Sequence, residues 1–552
     1  MNQPEITPWQ RLLGLLELDK KEIFQVFYYA IFSGIISLTL PLGIQAIINL
    51  IQGAQVSTSW IVLIVLVTLG VAFDGGLKLM QLRIIETIQQ RIFTRTSFEL
   101  SFRFPKIKMS ELRNNYPPEL ANRFFDTLTI QKSLSKILID VPSAVLQIIF
   151  ALILLSFYHA FFIIFGLLLL LLIFIVFKFT AKKGLDTSLY ESKYKYKVAH
   201  WIQEIARSVI SFKLSGSTNL GVTKNDNLVD DYLNARESHF KILMLQFIQM
   251  VSFKVIVTAS LLLIGGALVL NQEMNIGQFV AAEIIILLII ASVEKLIIGL
   301  ESFYDTLTSL EKIGQIADKD IENQTGETPT FKNGIHIELD NVSYNVSDRE
   351  KHILHDISLK INPDSRILIR GESGSGKSTL LRLISGVIEP TSGNIYVNDM
   401  AIQSLQLNFY RSKLGLSLSD ETPFEGTIKE NLTFGNPSIT DEDIHEVLNT
   451  VGLKSFLKEQ PEGLNTILYP DGKQMSFTIS KKIVLARAIL KKPHVLILED
   501  ALDRFNMEET TEIISYLTDK KRPWALVVVG HNKRWIGQCD EVVILEKGKI
   551  QK

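Results

Sequence analysis

Residues 371–379 read Gly371-Glu372-Ser373-Gly374-Ser375-Gly376-Lys377-Ser378-Thr379. The stretch satisfies G-x-x-x-x-G-K-[ST] at every defined position. Ile367-Leu368-Ile369 before it reads as a short buried strand, and Thr379-Leu380-Leu381-Arg382-Leu383-Ile384 reads as the first turns of a helix. In that context the glycines let backbone N–H groups wrap a phosphate chain, and the helix N-terminus adds partial positive charge. Lys377 can then reach the β- and γ-phosphates, and the Ser378 hydroxyl can hold Mg²⁺. A Gly/Ser-rich turn with a stray lysine is the plainer alternative, and the flanking strand and helix argue against it.

The chain has 552 residues, too many for one domain. Its net charge of −1 gives no reason to expect a nucleic-acid partner. The single cysteine, Cys539, excludes an intrachain disulfide and a cysteine-based metal cluster. Apolar residues make up 47% of the chain and crowd into its first 300 positions. The first such run starts near Ile23 and is too long for a signal peptide.

Six stretches are long and apolar enough to cross a bilayer, which takes about 20 residues. They are Ile23–Ile51, Trp60–Leu82, Ile137–Phe157, Phe161–Phe179, Leu243–Leu270 and Ile276–Leu300. The connections 52–59, 158–160 and 271–275 hold no Lys or Arg, whereas the two long connections are rich in both. The positive-inside rule therefore puts the long connections, both termini and the phosphate loop in the cytoplasm, on the inner (plasma) membrane. The long connections also read as helical, so the spans are expected to continue as helices into the cytoplasm. Each inward pair would turn at a short element able to touch the C-terminal domain; the candidates are Tyr116–Leu120 and Val209–Lys213.

Polar residues within or near the spans are Asp74, Lys78, Gln45, Gln147 and Glu283. Asp74 and Lys78 are spaced to pair with each other on one helix. Glu283 is the better candidate for a translocation path, since ionisable groups at membrane depth tend to be functional. Pro41 with Gly43, and Gly75-Gly76, are expected to kink helices or bring them close.

The composition then turns polar, giving four segments: an N-terminal stretch 1–22, a transmembrane domain 23–314, a linker 315–334 and a soluble α/β domain 335–552. In the last, Val495–Leu498 and Leu526–Val529 are near-continuous apolar runs, the pattern of strands buried on both faces.

This order resembles the ATP-binding cassette (ABC) exporter family: six spans, then one nucleotide-binding domain in the same chain. Phe424-Glu425-Gly426-Thr427-Ile428-Lys429-Glu430-Asn431 is similar to the family's F-x-G-T-I-x-x-N segment. Ile483–Ala488 resembles the helix after the family signature, and Val528-Val529-Gly530-His531 resembles its switch-histidine segment. The spans look most like the bacterial protein- and peptide-secretion branch, with no room before Ile23 for a peptidase domain. The resemblance implies an all-α transmembrane domain, a P-loop α/β domain, and ATP with Mg²⁺ as cofactors. It also implies two cassettes sandwiching two ATPs, each held between one cassette's phosphate loop and the other's signature.

Departures from the family pattern cluster. Where an Asp then a Glu is expected, the chain has Glu499 then Asp500. Glu499 can serve as a Mg²⁺ ligand. Asp500, as the catalytic base, is one methylene short, and a small misplacement can reduce rate about 100-fold. His531 takes the switch position. The signature L-S-G-G-Q is replaced by Met475-Ser476-Phe477-Thr478-Ile479, in which only Ser476 matches. Phe477 and Thr478 stand where glycine backbone should approach the opposite γ-phosphate. Ser419 falls at the Mg²⁺-contacting glutamine, Val346 at the adenine-stacking aromatic, and Asn506 at a later Asp.

These changes imply retained ATP binding with weakened hydrolysis, an ABC-type ATPase impaired in this chain alone. Three readings follow. The chain is one half of a heterodimer whose partner half-transporter supplies complete motifs, or a self-paired slow exporter, or a nucleotide-sensing membrane regulator without transport. Membrane lipid and a periplasmic adaptor are the other expected partners.

Overall fold

The computed structural model describes residues 6–53, 58–113, 115–346, 352–502 and 504–551. The chain divides into two compact units, 1–105 with 114–319 and 106–113 with 320–552.

The first unit is helical. Helices α1 (Pro8–Leu18), α2 (Lys20–Ser37), α3 (Thr39–Gln52) and α4 (Thr58–Arg103) are followed by α5 (Met109–Leu112), which belongs to the other unit, and α6 (Pro117–Asn122). Next come α7 (Asp126–Ser156), α8 (Phe161–Arg207), α9 (Val209–Leu214), α10 (Leu220–Ser260), α11 (Gly266–Leu270) and α12 (Ile276–Ala317). Six of the resulting rods are apolar and long enough to span a membrane. Helices α4 and α8 run 46 and 47 residues. At ~1.5 Å per residue each is about 70 Å long, more than twice the ~30 Å of a hydrocarbon layer.

Local chemistry sets the breaks. Pro41 has no N–H to offer the Ser37 carbonyl, and the first span divides into α2 and α3 at Leu38. A Cβ on Gly43 would lie 2.1 Å from Val67 Cγ2, and one on Gly70 would lie 2.7 Å from Thr39 Oγ1. The first two spans therefore pack at small residues, the usual route to close helix contact in lipid. Gly75 and Gly76 differ from expectation: nothing lies within 4 Å of their Cβ positions and α4 runs through them unbroken. In the fifth span, Leu261–Gly265 forms one π-helical turn. Asp74 accepts from Lys78 at 2.6 Å, as its spacing predicted, and also from Ser33 across to α2. Gln147 and Ser292 join α7 to α12 at 2.9 Å.

The second unit holds a four-stranded antiparallel sheet in the order β2-β1-β4-β5, from β1 (Ile337–Asn345), β2 (His352–Ile361), β4 (Ser392–Val397) and β5 (Met400–Ala401). A six-stranded sheet in the order β12-β11-β3-β10-β9-β6 comprises β3 (Arg366–Arg370), β6 (Leu414–Ser417), β9 (Val495–Glu499), β10 (Ala525–Val529), β11 (Glu541–Glu546) and β12 (Lys549–Gln551). Between β6 and β9, β7 (Gly426–Thr427) pairs with β8 (Ile467–Leu468). Strands β3, β6, β9, β10 and β11 are parallel. Every residue of β9 and β10 is buried, which explains the apolar runs Val495–Leu498 and Ala525–Val529.

Two segments outside the α/β core belong to this unit. Ile107 bridges Ile321, and Lys108 N–H donates to Asp320 O at 2.9 Å. The element of the first long connection that groups with the C-terminal domain is thus 106–113; Tyr116–Leu120, the expected candidate, lies in the helical unit. The polar stretch from Asp320 onward also packs on this unit. Glu322 pairs bidentately with Arg411 at 2.6 and 2.9 Å, and Phe331 is buried in the core.

Candidate functional site

Strands β3, β9 and β10 are neighbours in register, Ile369 beside Val529 and Val529 beside Glu499. Their carboxyl ends therefore open onto one edge, where ligands bind in parallel α/β sheets. Three segments leave from it: the phosphate loop from β3, Asp500 from β9, and Gly530-His531 from β10.

The phosphate loop runs from Gly371 into a helix that begins at Lys377 (Lys377–Ile384). A Cβ on Gly371 would lie 2.1 Å from the Leu545 carbonyl oxygen, so only glycine lets the loop pass β11 there. Gly376 adopts φ +105° as the helix cap, and its Cβ would meet Leu354 Cδ2 at 2.7 Å. Lys377 Nζ donates to the carbonyls of Gly371 (2.9 Å) and Glu372 (2.8 Å), which holds the ammonium over its own loop. Glu372, Ser373, Gly374, Ser375 and Thr379 complete the proposed cradle. Ser375 Oγ is buried with no hydrogen-bond partner among the described residues.

Behind the loop, Glu499 is 4% exposed. It accepts from Ser378 Oγ, from Ser419 N at 3.1 Å and from Ser419 Oγ at 3.0 Å. The Ser378–Glu499–Ser419 cluster brings together the expected metal ligands and the residue at the glutamine position. All its donors are oxygens, one of them anionic, which suits Mg²⁺ held jointly with phosphates. Asp500 sits at φ +48°, an uncommon conformation that Asp tolerates better than most residues, and its N–H donates to Val529 O at 2.9 Å. His531 is exposed just past β10.

The degenerate signature opens the helix Phe477–Leu490, with Ser476 as its cap, accepting from Ile479 N at 3.2 Å. Phe477 occupies the first helical position, 48% exposed, with the Arg504 guanidinium 4.5 Å from its ring centroid. Among the described residues no hydrogen bond or ion pair joins Met475–Ile479 to the phosphate loop of the same chain. Asn506 caps the helix Met507–Thr518, and Val346 is buried as an aliphatic side chain.

Lys481 was not singled out from the sequence, where it is one of two adjacent lysines, Lys481 and Lys482, ahead of the apolar Ile483–Ala486. It is 4% exposed, and its ammonium donates to the carbonyls of Leu418 (3.3 Å), Ser419 (2.7 Å) and Glu421 (2.9 Å). The signature helix thereby pins the loop that carries Ser419 to Glu499. Burial pushes the Lys481 ammonium below its ordinary range, and burial pushes the Glu421 carboxyl above its own. Asn431, fully buried, ties Phe424 and Thr427 together and accepts from Arg487 of the same helix.

The chain matches the family model described as ABC transporter over residues 354–503, and the ABC transporter transmembrane region over residues 23–293. It is 28% identical over 353 residues to a Rickettsia bellii protein named for export as an ATP-binding/permease protein, covering 63% of this chain and 61% of that one. It is 31% identical over 233 residues to a Staphylococcus aureus protein named for multidrug export, covering 42% and 40%. The chain thus spans about three fifths or less of the length of these relatives. A solved bacterial Atm1-family ABC exporter with ATP bound shares the fold, at TM-score 0.84 and 17% identity, over 97% of this chain and 94% of that one.

Proposed function

Because this chain belongs to the ABC transporter family, as a half-transporter with fused transmembrane and ATP-binding regions, we propose that it binds ATP at its own phosphate loop and powers export with a second half-transporter. The observation that carries this reading is an asymmetry within one domain. The phosphate loop and the Ser378–Glu499–Ser419 cluster are assembled, while the surface meant for the opposite nucleotide presents Phe477 and Thr478.

Glycine at the signature lets backbone approach a γ-phosphate; a half-exposed phenyl ring with a guanidinium beside it occupies that approach. A partner with a complete signature then closes over Gly371–Thr379, and the partner's own phosphate loop meets Met475–Ile479. Ser378 and Glu499 would hold Mg²⁺, which when bound would neutralise charge at the phosphates. Lys377 exchanges its loop carbonyls for phosphate oxygens, a better match for an ammonium. Asp500 orients the attacking water from a shorter arm than glutamate offers, so turnover by this chain alone is slow. His531 donates a hydrogen bond at the γ-phosphate.

The phosphate loop and both termini lie in the cytoplasm, on the charge asymmetry of the connections. Val209–Lys213 is a turning element able to reach a nucleotide domain, and half-buried Glu283 is the ionisable group on the path. The relatives' names, export and multidrug export, support outward movement of cargo.

The test is purification from native membranes in a mild detergent, followed by identification of the co-purifying chain. A second half-transporter with complete motifs is the expected result. Recovery of this chain paired only with itself, or with no transporter half at all, would overturn the heterodimer.

A further inference from the structure

The helical unit holds a partly open cavity of about 920 Å³ beside the far end of α12, bounded by the start of α1, the turn after α6, and α8. Lys312 reaches it from α12. That side chain is 8% exposed, its ammonium lies 5.6 Å from the Tyr196 ring centroid, and no carboxylate pairs with it among the described residues. Arg123 lies 5.8 Å from the same ring, bonds the neutral Gln315 side chain, and keeps a buried Nε with no acceptor among the described residues.

The acids around the cavity are already engaged. Arg11 takes Asp318 at 2.8 Å and Glu311 at 3.5 Å, and His200 takes Glu119 at 3.1 Å. The buried Asp126 carboxylate accepts from the Tyr196 hydroxyl. Lys193 and Lys197 add two exposed cations at the rim, with no ion-pair partner among the described residues. Asp126 and Glu311 are near enough to favour the Lys312 charge, but neither forms a direct ion pair with it among the described residues, and a lysine nine-tenths buried without a direct ion pair is costly to keep.

We propose that this cavity binds a soluble, phosphate-bearing small molecule, gripped by Lys312 and Arg123, at a site separate from the phosphate loop. Volume and charge agree: the space is in the range that takes a drug- or nucleotide-sized ligand, and Arg with Lys is a common phosphate-binding pair. A lipid headgroup is the other source of phosphate. Lys312 lies beyond Leu300, where the sixth span is read to end, by a helical rise of about 18 Å. The headgroup layer adds roughly 5–8 Å on each side of the hydrocarbon, so a headgroup would not reach.

The test uses the full chain carrying Lys377→Ala, in nanodiscs of phosphatidylcholine without Mg²⁺, with radiolabelled inorganic pyrophosphate as the probe. About one saturable site per chain is expected, weakened about 10- to 100-fold by Lys312→Met, the loss of a charged hydrogen bond. Arg123→Gln should weaken it similarly. Lys312→Met removes a buried charge at similar volume, so its thermal midpoint should hold, and Arg123→Gln gives an independent reading. Absence of saturable binding, or binding that both substitutions leave unchanged, would overturn the proposal. Nanodiscs of phosphatidylglycerol should leave the affinity unchanged; displacement of pyrophosphate by that lipid would make this a headgroup site and overturn the soluble-ligand reading.

Discussion

Glu499→Gln separates the metal-binding role of this residue from its structural one. The carboxylate accepts three hydrogen bonds, from Ser378 Oγ, Ser419 N and Ser419 Oγ. A carboxamide can keep its oxygen toward both Ser419 donors and turn its NH₂ toward Ser378 Oγ, which can accept. The network survives with neutral bonds in place of charge-assisted ones, each about half as strong. Relief of a buried charge offsets part of that loss, so stability should change by about 1 kcal/mol or less. The metal loses far more. A unit charge pair ~4 Å apart at an effective dielectric of ~20 is worth about 4 kcal/mol. If lost hydration offsets half, about 2 kcal/mol remains, roughly a 30-fold drop in ATP affinity with Mg²⁺. The assay is binding of a fluorescent ATP analogue to the full chain in nanodiscs, in Mg²⁺ and in EDTA. The variant should match wild type in EDTA and lose the gain that Mg²⁺ gives. An undiminished Mg²⁺ gain in the variant would refute the assignment of Glu499 as the metal carboxylate.

Exchanging both carboxylates, Glu499→Asp with Asp500→Glu, should raise phosphate release by up to ~100-fold if base geometry limits turnover; it should also destabilise by about 1 kcal/mol, because position 500 is left-handed. Unchanged release would move the limit to the signature or the partner. Gly376→Ala, with Leu354 Cδ2 2.7 Å from the new methyl, should weaken ATP more than Gly374→Ala, which has open space and pays only backbone strain; equal effects in the binding assay would mean that Leu354 does not shape the loop. Burial raises the Glu421 carboxyl above its ordinary range, so the folded domain holds that proton more tightly than the unfolded chain. Its stabilising contribution is complete below the ordinary glutamate pKa and fades as pH rises through the raised value. Glu421→Gln should flatten that part of the thermal midpoint against pH; an unchanged slope would show that another group sets it.

Periodicity and motif spacing carried much of the architecture, because the signals that fix it are local. Uncharged runs such as Ile163–Phe177 have no stable place outside lipid or a core, and the glycines of the phosphate loop report backbone conformations that other residues strain to adopt. What escaped the sequence depends on contacts between distant positions. Lys481 reads as a surface lysine until the Leu418–Glu421 carbonyls are placed around its ammonium. The docking of 106–113 against Asp320–Glu322 is a short backbone pairing between segments more than 200 residues apart, and no side-chain pattern announces it. Gly75-Gly76 differ for the converse reason: a glycine pair can mark a close approach, but a neighbour decides whether one occurs, and among the described residues of this chain nothing lies within 4 Å of either Cβ position. The departures at Phe477, Thr478 and Val346 were legible as letters, and the structure adds their setting: Phe477 half-exposed at a helix start beside Arg504, Val346 buried.

A nucleotide held by this chain's own phosphate loop is the premise of every role assigned above. The most direct measurement is equilibrium binding of ATP to the purified full-length chain, with and without Mg²⁺, for wild type and Lys377→Ala. Saturable, Mg²⁺-dependent binding that Lys377→Ala abolishes or severely weakens is the predicted result. Absence of Mg²⁺-dependent affinity in wild type, or an affinity indifferent to Lys377, would contradict it.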